Sequence, residues 1–355
     1  MRPLQRKEPP DFDRFVKVLR RQGDASYVPF FELCMDDKVF EPLTGLAPPE
    51  GLNFVPTAPT YEASFAYFLE CCARMGFDHG TINLSGFTGF PARSHGSSEG
   101  RAFLASEDGM IQSEEDYEQY PWPSASDIDV EAMQRTARLA PEGLGVMTGA
   151  DDVFGIMFEI LGYTRLSMML YENPGLFGRV ADRIGRTLLE VIDLTMSLDE
   201  LQGFVLAGDM GFKTGLMVSP EHLRRYTLPW HRLFCEAAHR HGKIIILHSC
   251  GNLAEIMPDI AAAGFDGKHS FEDALDPHLF DLHREYGRDI CLIGGIDVDF
   301  LCRADEAAIR RRVREYIDRM APDGGYVLGS GNSITDYCPV EHFRAMLDEG
   351  LSYGR

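Results

Sequence analysis

The 355-residue sequence predicts an α/β protein built as a (β/α)8 barrel of the TIM type. Three observations carry that expectation. Short β-like runs alternate with longer amphipathic ones, which implies a parallel sheet. There are eight such runs, the number that closes a barrel. Polar residues gather at the carboxyl ends of those runs, where the functional side chains of such barrels lie. An open doubly wound sheet is the alternative that fits the same alternation.

The strands are expected at VPFFEL (28–33), TINLS (81–85), GVMTG (145–149), GFVLAGD (203–209), KIIILHSC (243–250), FDGKHS (265–270), ICLIGGID (290–297) and GYVLGSG (325–331). Helices are expected between most of them. Over 174–198, Leu176, Val180, Ile184, Leu188, Leu189 and Ile192 share one helical face. The stretch 219–242 opens on Ser219-Pro220, a capping residue followed by proline in the first turn. Over 304–320, charged residues take one side and apolar residues the other.

The segment near 86–125 breaks the alternation. It is rich in Gly, Ser and Pro and then acidic, and a loop of this length in a compact domain is usually a lid or binding element. Phe87, Phe90, Tyr117, Tyr120 and Trp122 favour a packed excursion. No repeat or linker divides the chain, so residues 1–24 read as an extension and 25–355 as a single barrel domain.

Composition narrows the function. Hydrophobic residues make up 45 % of the chain, enough for a large core. Asp and Glu number 55 against 34 Lys and Arg, a net charge of −21. Such a chain repels phosphate backbones and anionic lipid, so neither nucleic acid nor membrane is an expected partner. The amino terminus has no apolar signal-like core, and eight cysteines are too sparse for a disulfide scaffold. The sequence reads as a soluble cytoplasmic protein with mostly reduced thiols.

The chemistry-bearing residues stand at the strand ends. Glu32 closes the first strand, Asp209 the fourth with Lys213 just beyond, His248 and Cys250 the fifth, and His269 and Glu272 the sixth. Asp297 closes the seventh, and Ser330 and Asn332 the eighth. In IIILHSCGN (244–252), His248 and Cys250 are two apart and so point to one side of a strand. A nitrogen and a thiolate together suit Zn²⁺. Two ligands are too few, and Glu272, 22 residues after Cys250 and one βα unit later, is the leading third. His269 reads rather as a core histidine bonded to backbone, and Cys34 and Cys338 are reserves that the spacing does not demand. Asp209 and Lys213 read as a substrate clamp, an acid/base pair or a surface ion pair. The turn GSGNS (329–333) lacks the Lys-Ser/Thr ending of a P-loop and exposes Ser330 and Asn332. Neither G-x-S-x-G nor H-E-x-x-H occurs.

Five ordered blocks, PFFELCMDD, LAGDMGFKTGLMVSPEHLRRYTLPW, IIILHSCGNL, CLIGGIDVDFL and GYVLGSGNSITDYCPVEHFRAML, resemble the uroporphyrinogen decarboxylase superfamily, and most closely its corrinoid (cobalamin-dependent) methyltransferase branch. The resemblance spans roughly residues 25–350 and itself implies a (β/α)8 barrel. It implies zinc on His248 and Cys250, with Glu272 in the place of a glutamate ligand of a more distant methionine synthase barrel. It implies transfer of a methyl group between a small methylated substrate and a corrinoid carried on a partner protein. Asp209 and Glu32 would then be catalytic, and Lys213, Asn332 and Ser330 would bind substrate. The branch's last zinc cysteine sits in a Gly-Cys-Gly turn, but this chain has Gly329-Ser330-Gly331. That departure turns the expectation from thiol acceptors toward methyl ethers, methylamines or a folate. The decarboxylase itself carries arginines after its first strand, where this chain is acidic, so a metal-free lyase is the first rival and a corrinoid- or tetrapyrrole-binding accessory protein the second.

Overall fold

The computed structural model describes residues 4, 8–22, 27–55, 58–87, 89–92, 94–96, 102–104, 109–272 and 275–353. Seven parallel strands follow one another around a single sheet in chain order: β1 (His79–Ile82), β2 (Gly145–Asp151), β3 (Gly203–Ala207), β4 (Ile244–His248), β5 (Gly267–His269), β6 (Cys291–Ile296) and β7 (Tyr326–Ser330). The eighth run, 28–33, joins this sheet through one parallel bridge, Phe30 to Leu328. Phe31 donates its N–H to the Leu328 carbonyl at 3.0 Å, and Leu328 donates to Pro29 at 2.9 Å. The barrel is therefore sealed on the β7 side. Toward β1, the described residues show no backbone pairing. His79 Nε2 instead reaches across to the Phe30 carbonyl at 3.3 Å.

Most strands end sooner than the sequence suggested, because their polar ends turn out into loops, while β2 runs on past the expected 149 to Asp151. Asp209, Cys250, Glu272 and Asp297 all lie just beyond their strands, around the carboxyl-end mouth. Register explains which side chains face in. Ala207, His248 and His269 form one row across β3, β4 and β5. The inward core below them contains Phe31, Met147, Val205, Ile244, Ile246, Ile293 and Val327.

The opposite end is plugged by α1 (Phe12–Leu19), which lies before the expected boundary at residue 25. Asp11 caps this helix, accepting from the Arg14 N–H at 2.9 Å. Spacing at i, i+3 and i+4 puts Phe15, Val18 and Leu19 on one face, and all three join the inward core. Each such side chain contributes roughly 1.5–3 kcal/mol by leaving water.

Outer helices cover the sheet, among them α2 (Tyr61–Met75) and α4 (Pro174–Met196), while the short α3 (Glu114–Gln119) lies in the excursion and buries none of its residues. The expected helix over 219–242 is two, α5 (Pro220–Tyr226) and α6 (Leu228–Arg240). Pro229 accounts for the break, since it has no N–H to carry the ladder of α5 onward and sits in the first turn of α6, where none is needed. Ser219 caps α5 as its sequence suggests. In the excursion, Trp122 packs on Tyr117 and Tyr120, and Arg179 of α4 lies 4.4 Å over the Tyr117 ring. Residues 88, 93, 97–101 and 105–108 of that segment fall outside the described residues. No single described helix is long and apolar enough to cross a membrane.

Candidate metal centre and active site

His248 ends β4 and Cys250 stands in the loop that follows, where Gly251 fixes the path. Its φ is +86°, and a Cβ there would lie 2.2 Å from the Gly211 carbonyl oxygen. The same loop is tied to the short hairpin of Gly211–Phe212 and Gly215–Leu216 by the Asn252 N–H on the Phe212 carbonyl, 2.9 Å. This brings the loop after β3 against the loop after β4. Asp209 thus accepts the backbone N–H of Cys250 at 2.8 Å.

The outcome is a compact donor set. Ligand atoms of Asp209, His248 and Cys250 lie within 4.8 Å of one another. His248 Nε2 is 3.4 Å from Cys250 Sγ and 3.8 Å from Asp209 Oδ1. Nitrogen, sulfur and carboxylate oxygen are a set that suits a tetrahedral metal with one position left open. Glu272, the third ligand expected from spacing, is outside this group. It is half-buried, and its carboxyl is pushed up first by burial and then by Asp297, with Lys213 opposing. It packs against the turn at Gly331, where an added Cβ would be 2.8 Å from Glu272 Cγ.

A hydrogen-bond chain sets the tautomer of His248. The Ser330 carbonyl can only accept, so His269 Nε2, 3.0 Å away, carries a proton and donates. Burial pushes His269 down to about 3, so the ring is neutral and its Nδ1 is a bare acceptor. His248 Nδ1, at 2.8 Å, must then donate to it. The lone pair of His248 is left on Nε2, facing Cys250 and Asp209. Burial also holds His248 well below the usual imidazole range.

Cys250 is half-buried. Burial and then Asp209 push its thiol up to about 12, so only a cation at the site would make it a thiolate near neutrality. Asn332 donates its amide to Cys250 Sγ at 3.1 Å, and the Ser270 hydroxyl lies at 3.9 Å. Ser330 does not face the thiol. Its backbone N–H donates to Glu32 Oε1 at 2.7 Å, and its hydroxyl bonds the other Glu32 oxygen. Burial pushes Glu32 up to about 8 despite both contacts. Lys213 is exposed on the hairpin, and Asp297 caps the helix Val298–Arg303 through the Phe300 N–H. Cys338 is buried beside Cys302, outside the donor set.

Several residues were not read from the sequence. Lys268 is fully buried on β5, donates to the Ser270 carbonyl at 2.6 Å, and lies 3.9 Å over the Phe271 ring. Burial pushes it down to about 7. Asp151 ends β2 with its side chain open to the cavities, and the protein packed around its carboxyl, then Asp152 and Asp209, raise it to about 6. Its position at a strand end in TGADD was the available signal. Asp152 and His231 form a fully buried pair at 2.9 Å that ties α6 to the end of β2.

Next to the donor set, a cavity of about 440 Å³ runs from Asp151 and Ala207 inward to His79 and out between the 28–33 run and β1. A second, of about 480 Å³, meets it at Asn83 and at Gly149, Ala150 and Asp151.

A parallel barrel with an acidic, histidine- and cysteine-bearing mouth and a cavity beside it defines an enzyme-type (β/α)8 protein. The model of the uroporphyrinogen decarboxylase (URO-D) family matches residues 107–352, and the chain belongs to that family. No curated protein matches the sequence significantly. Among solved structures, a methyltransferase from Methanosarcina mazei superposes with a TM-score of 0.70 at 14 % identity, covering 96 % of this chain and 98 % of that one. A D-psicose 3-epimerase solved with D-fructose gives 0.42 at 11 % identity, over 84 % and 94 %.

Proposed function

We propose that this protein is a metal-assisted methyltransferase that moves a methyl group between a small methylated substrate and a corrinoid held by a partner protein. The observation that carries the reading is the donor set of Asp209, His248 and Cys250, with the His248 lone pair turned into it by His269. The barrel likeness to a methanogen methyltransferase supports the same class. We place the protein in the cytoplasm, as one barrel domain that includes α1 of the expected extension.

Zn²⁺ is the metal that this nitrogen, sulfur and oxygen set suits, held by His248, Cys250 and Asp209. When bound, it would supply Lewis acidity to the atom that carries or receives the methyl group. Glu272 stays outside this set, beside the Gly331 turn. The protein's own residues do the rest. Asn332 donates to the Cys250 sulfur and so steadies it as an anion. Asp209 holds the Cys250 backbone and fixes where the sulfur points. Glu32 keeps a proton near neutrality, and Ser330 holds it at the cavity wall beside the mouth. It is the group placed to give a proton to a leaving atom. Lys213 and Asn332 flank the entrance as substrate contacts.

The test is methyl transfer to free cob(I)alamin by the zinc-loaded protein, offered methylamines, methyl ethers and methylfolate in turn and followed by the methylcobalamin spectrum. Formation of methylcobalamin that Cys250→Ala abolishes supports the reading. Corrinoid-independent release of carbon dioxide from a carboxylated substrate, retained in Cys250→Ala, would replace it with the lyase.

A further inference from the structure

The two joined cavities have a consistent chemistry. Five phenylalanines, Phe40, Phe54, Phe65, Phe68 and Phe77, line the first. Their rings stack edge-on with each other, as in Phe54 on Phe65 at 5.1 Å and Phe40 on Phe68 at 5.6 Å. Phe87 and Phe90 line the second. The ionisable side chains set among these rings are acidic or accepting. Asp151 is shared by both cavities, Glu32 lies in the first and Glu159 in the second. Among the described residues, neither lining includes a lysine or an arginine.

At the inner end stands His79, 3 % exposed. The Phe30 carbonyl accepts from its Nε2, so its Nδ1 bears a lone pair. That Nδ1 has no hydrogen-bond partner. It is an acceptor built into the wall without a donor.

Burial holds protons on the carboxyls because they lack a counter-charge: Glu159 is raised to about 7, by burial first and then by Asp151. Bringing in a cation removes that cost. A ring-lined space also favours a cation over the faces of its aromatics. An anion would meet carboxylates with nothing to pair it.

We propose that these cavities bind a methylated amine as its ammonium ion, the charge set against Asp151, which both cavities share. This rests on the methyltransferase reading and names its substrate class. It excludes polycarboxylate substrates from the cavities.

The test is calorimetric titration of the full-length protein with trimethylammonium chloride, tert-butanol and pivalate, three ligands of like shape and different charge. The cation is expected to bind at least ~10-fold more tightly than the alcohol, with pivalate showing no heat of binding. Asp151→Asn is expected to weaken the cation ~10-fold while leaving the alcohol unchanged, and Phe68→Leu to weaken the cation ~3-fold. Circular dichroism checks that both variants fold, and a misfolded Asp151→Asn is replaced by Glu159→Gln. Equal binding of alcohol and cation, tighter binding of pivalate, or a cation affinity untouched in the folded carboxyl variant would overturn the proposal. Binding is read without turnover, so the two readings fail separately. A cation that binds but never methylates cob(I)alamin defeats the methyltransferase alone. Methyl transfer from a neutral ether without cation binding defeats the substrate class alone.

Discussion

His248 and His269 meet nitrogen to nitrogen, Nδ1 to Nδ1 at 2.8 Å, and only one of the two can hold the shared proton. The Ser330 carbonyl decides which, because it occupies the other nitrogen of His269 as an acceptor. A residue on β5 thereby selects the tautomer of a residue on β4, and through it the atom offered to a metal.

His269 is therefore a positioning residue. His269→Ala is expected to weaken zinc binding ~10–100-fold, as loss of a ligand's hydrogen-bond partner does elsewhere. His269→Gln can accept with one amide atom and donate with the other, and should recover part of the loss. Competition against a chromophoric zinc chelator measures both. Wild-type affinity in His269→Ala would refute the relay.

Metal content separates the donor set from its neighbours. Protein purified with zinc supplied should hold it stoichiometrically, and Cys250→Ala, His248→Ala and Asp209→Ala should each lose most of it. Ser330→Ala should keep it, because the Ser330 side chain serves Glu32. Elemental mass spectrometry on the variants is the check. Zinc lost in Glu272→Ala but kept in Asp209→Ala would return the third position to the residue expected from spacing.

Stability should depend on pH through buried groups that act in opposite senses. Glu32 titrates at about 8 when folded, against 4.5 for the ordinary group. Between these values the folded chain keeps a proton that the unfolded chain has released. Stability contributed by the protonated form thus falls as pH rises and is gone above about 8. His79 is lowered from 6.5 to about 4, so between those values the unfolded chain takes up the extra proton and stability falls as pH drops. Above about 6.5 His79 no longer contributes, and above about 7 Glu32 is opposed by Lys268, which is lowered from 10.5 and adds stability as pH rises. The melting temperature of Glu32→Gln relative to the wild type should therefore climb between pH 6.5 and 8, and a constant difference would show that Glu32 carries no such proton.

The Asp152–His231 pair is fully buried, so removing one member strands the other. His231→Phe is expected to cost ~3–5 kcal/mol by chemical denaturation. Joining it with Asp152→Asn should cost less than the two single losses added together. Strict additivity would mean that the pair is not coupled.

The barrel was legible because its signals are local. Runs such as IIILH and CLIGGI have the length and apolarity of buried parallel strands, and the period of two put His248 and Cys250 together. What decided the site was not local. Asp209 joins the pair because Gly211 and Gly251 allow two loops to touch, a contact between residues 40 apart in the chain. Glu272 has equally good spacing, but its carboxyl turns toward Asp297 and the Gly331 turn. His269 was read as a core histidine bonded to backbone; it makes that bond, and its second nitrogen is what the sequence did not show. Lys268 was invisible because nothing in FDGKHS signals that a lysine would be buried over a phenylalanine. Pro229 is a helix breaker within 219–242, and it divides that stretch into α5 and α6.

The wall of this barrel is a ring with a gap. The 28–33 run is hydrogen-bonded on one side only, and its other margin is held by a histidine side chain and by packing. A gap of that kind makes the first strand and β1 the place where the molecule opens most readily, well below the cost of global unfolding. Amide exchange at Thr81 and Phe30 should then outpace exchange at Ile245 and Leu292, whose strands are paired on both flanks. The same opening would be a side door through which small molecules reach the cavity.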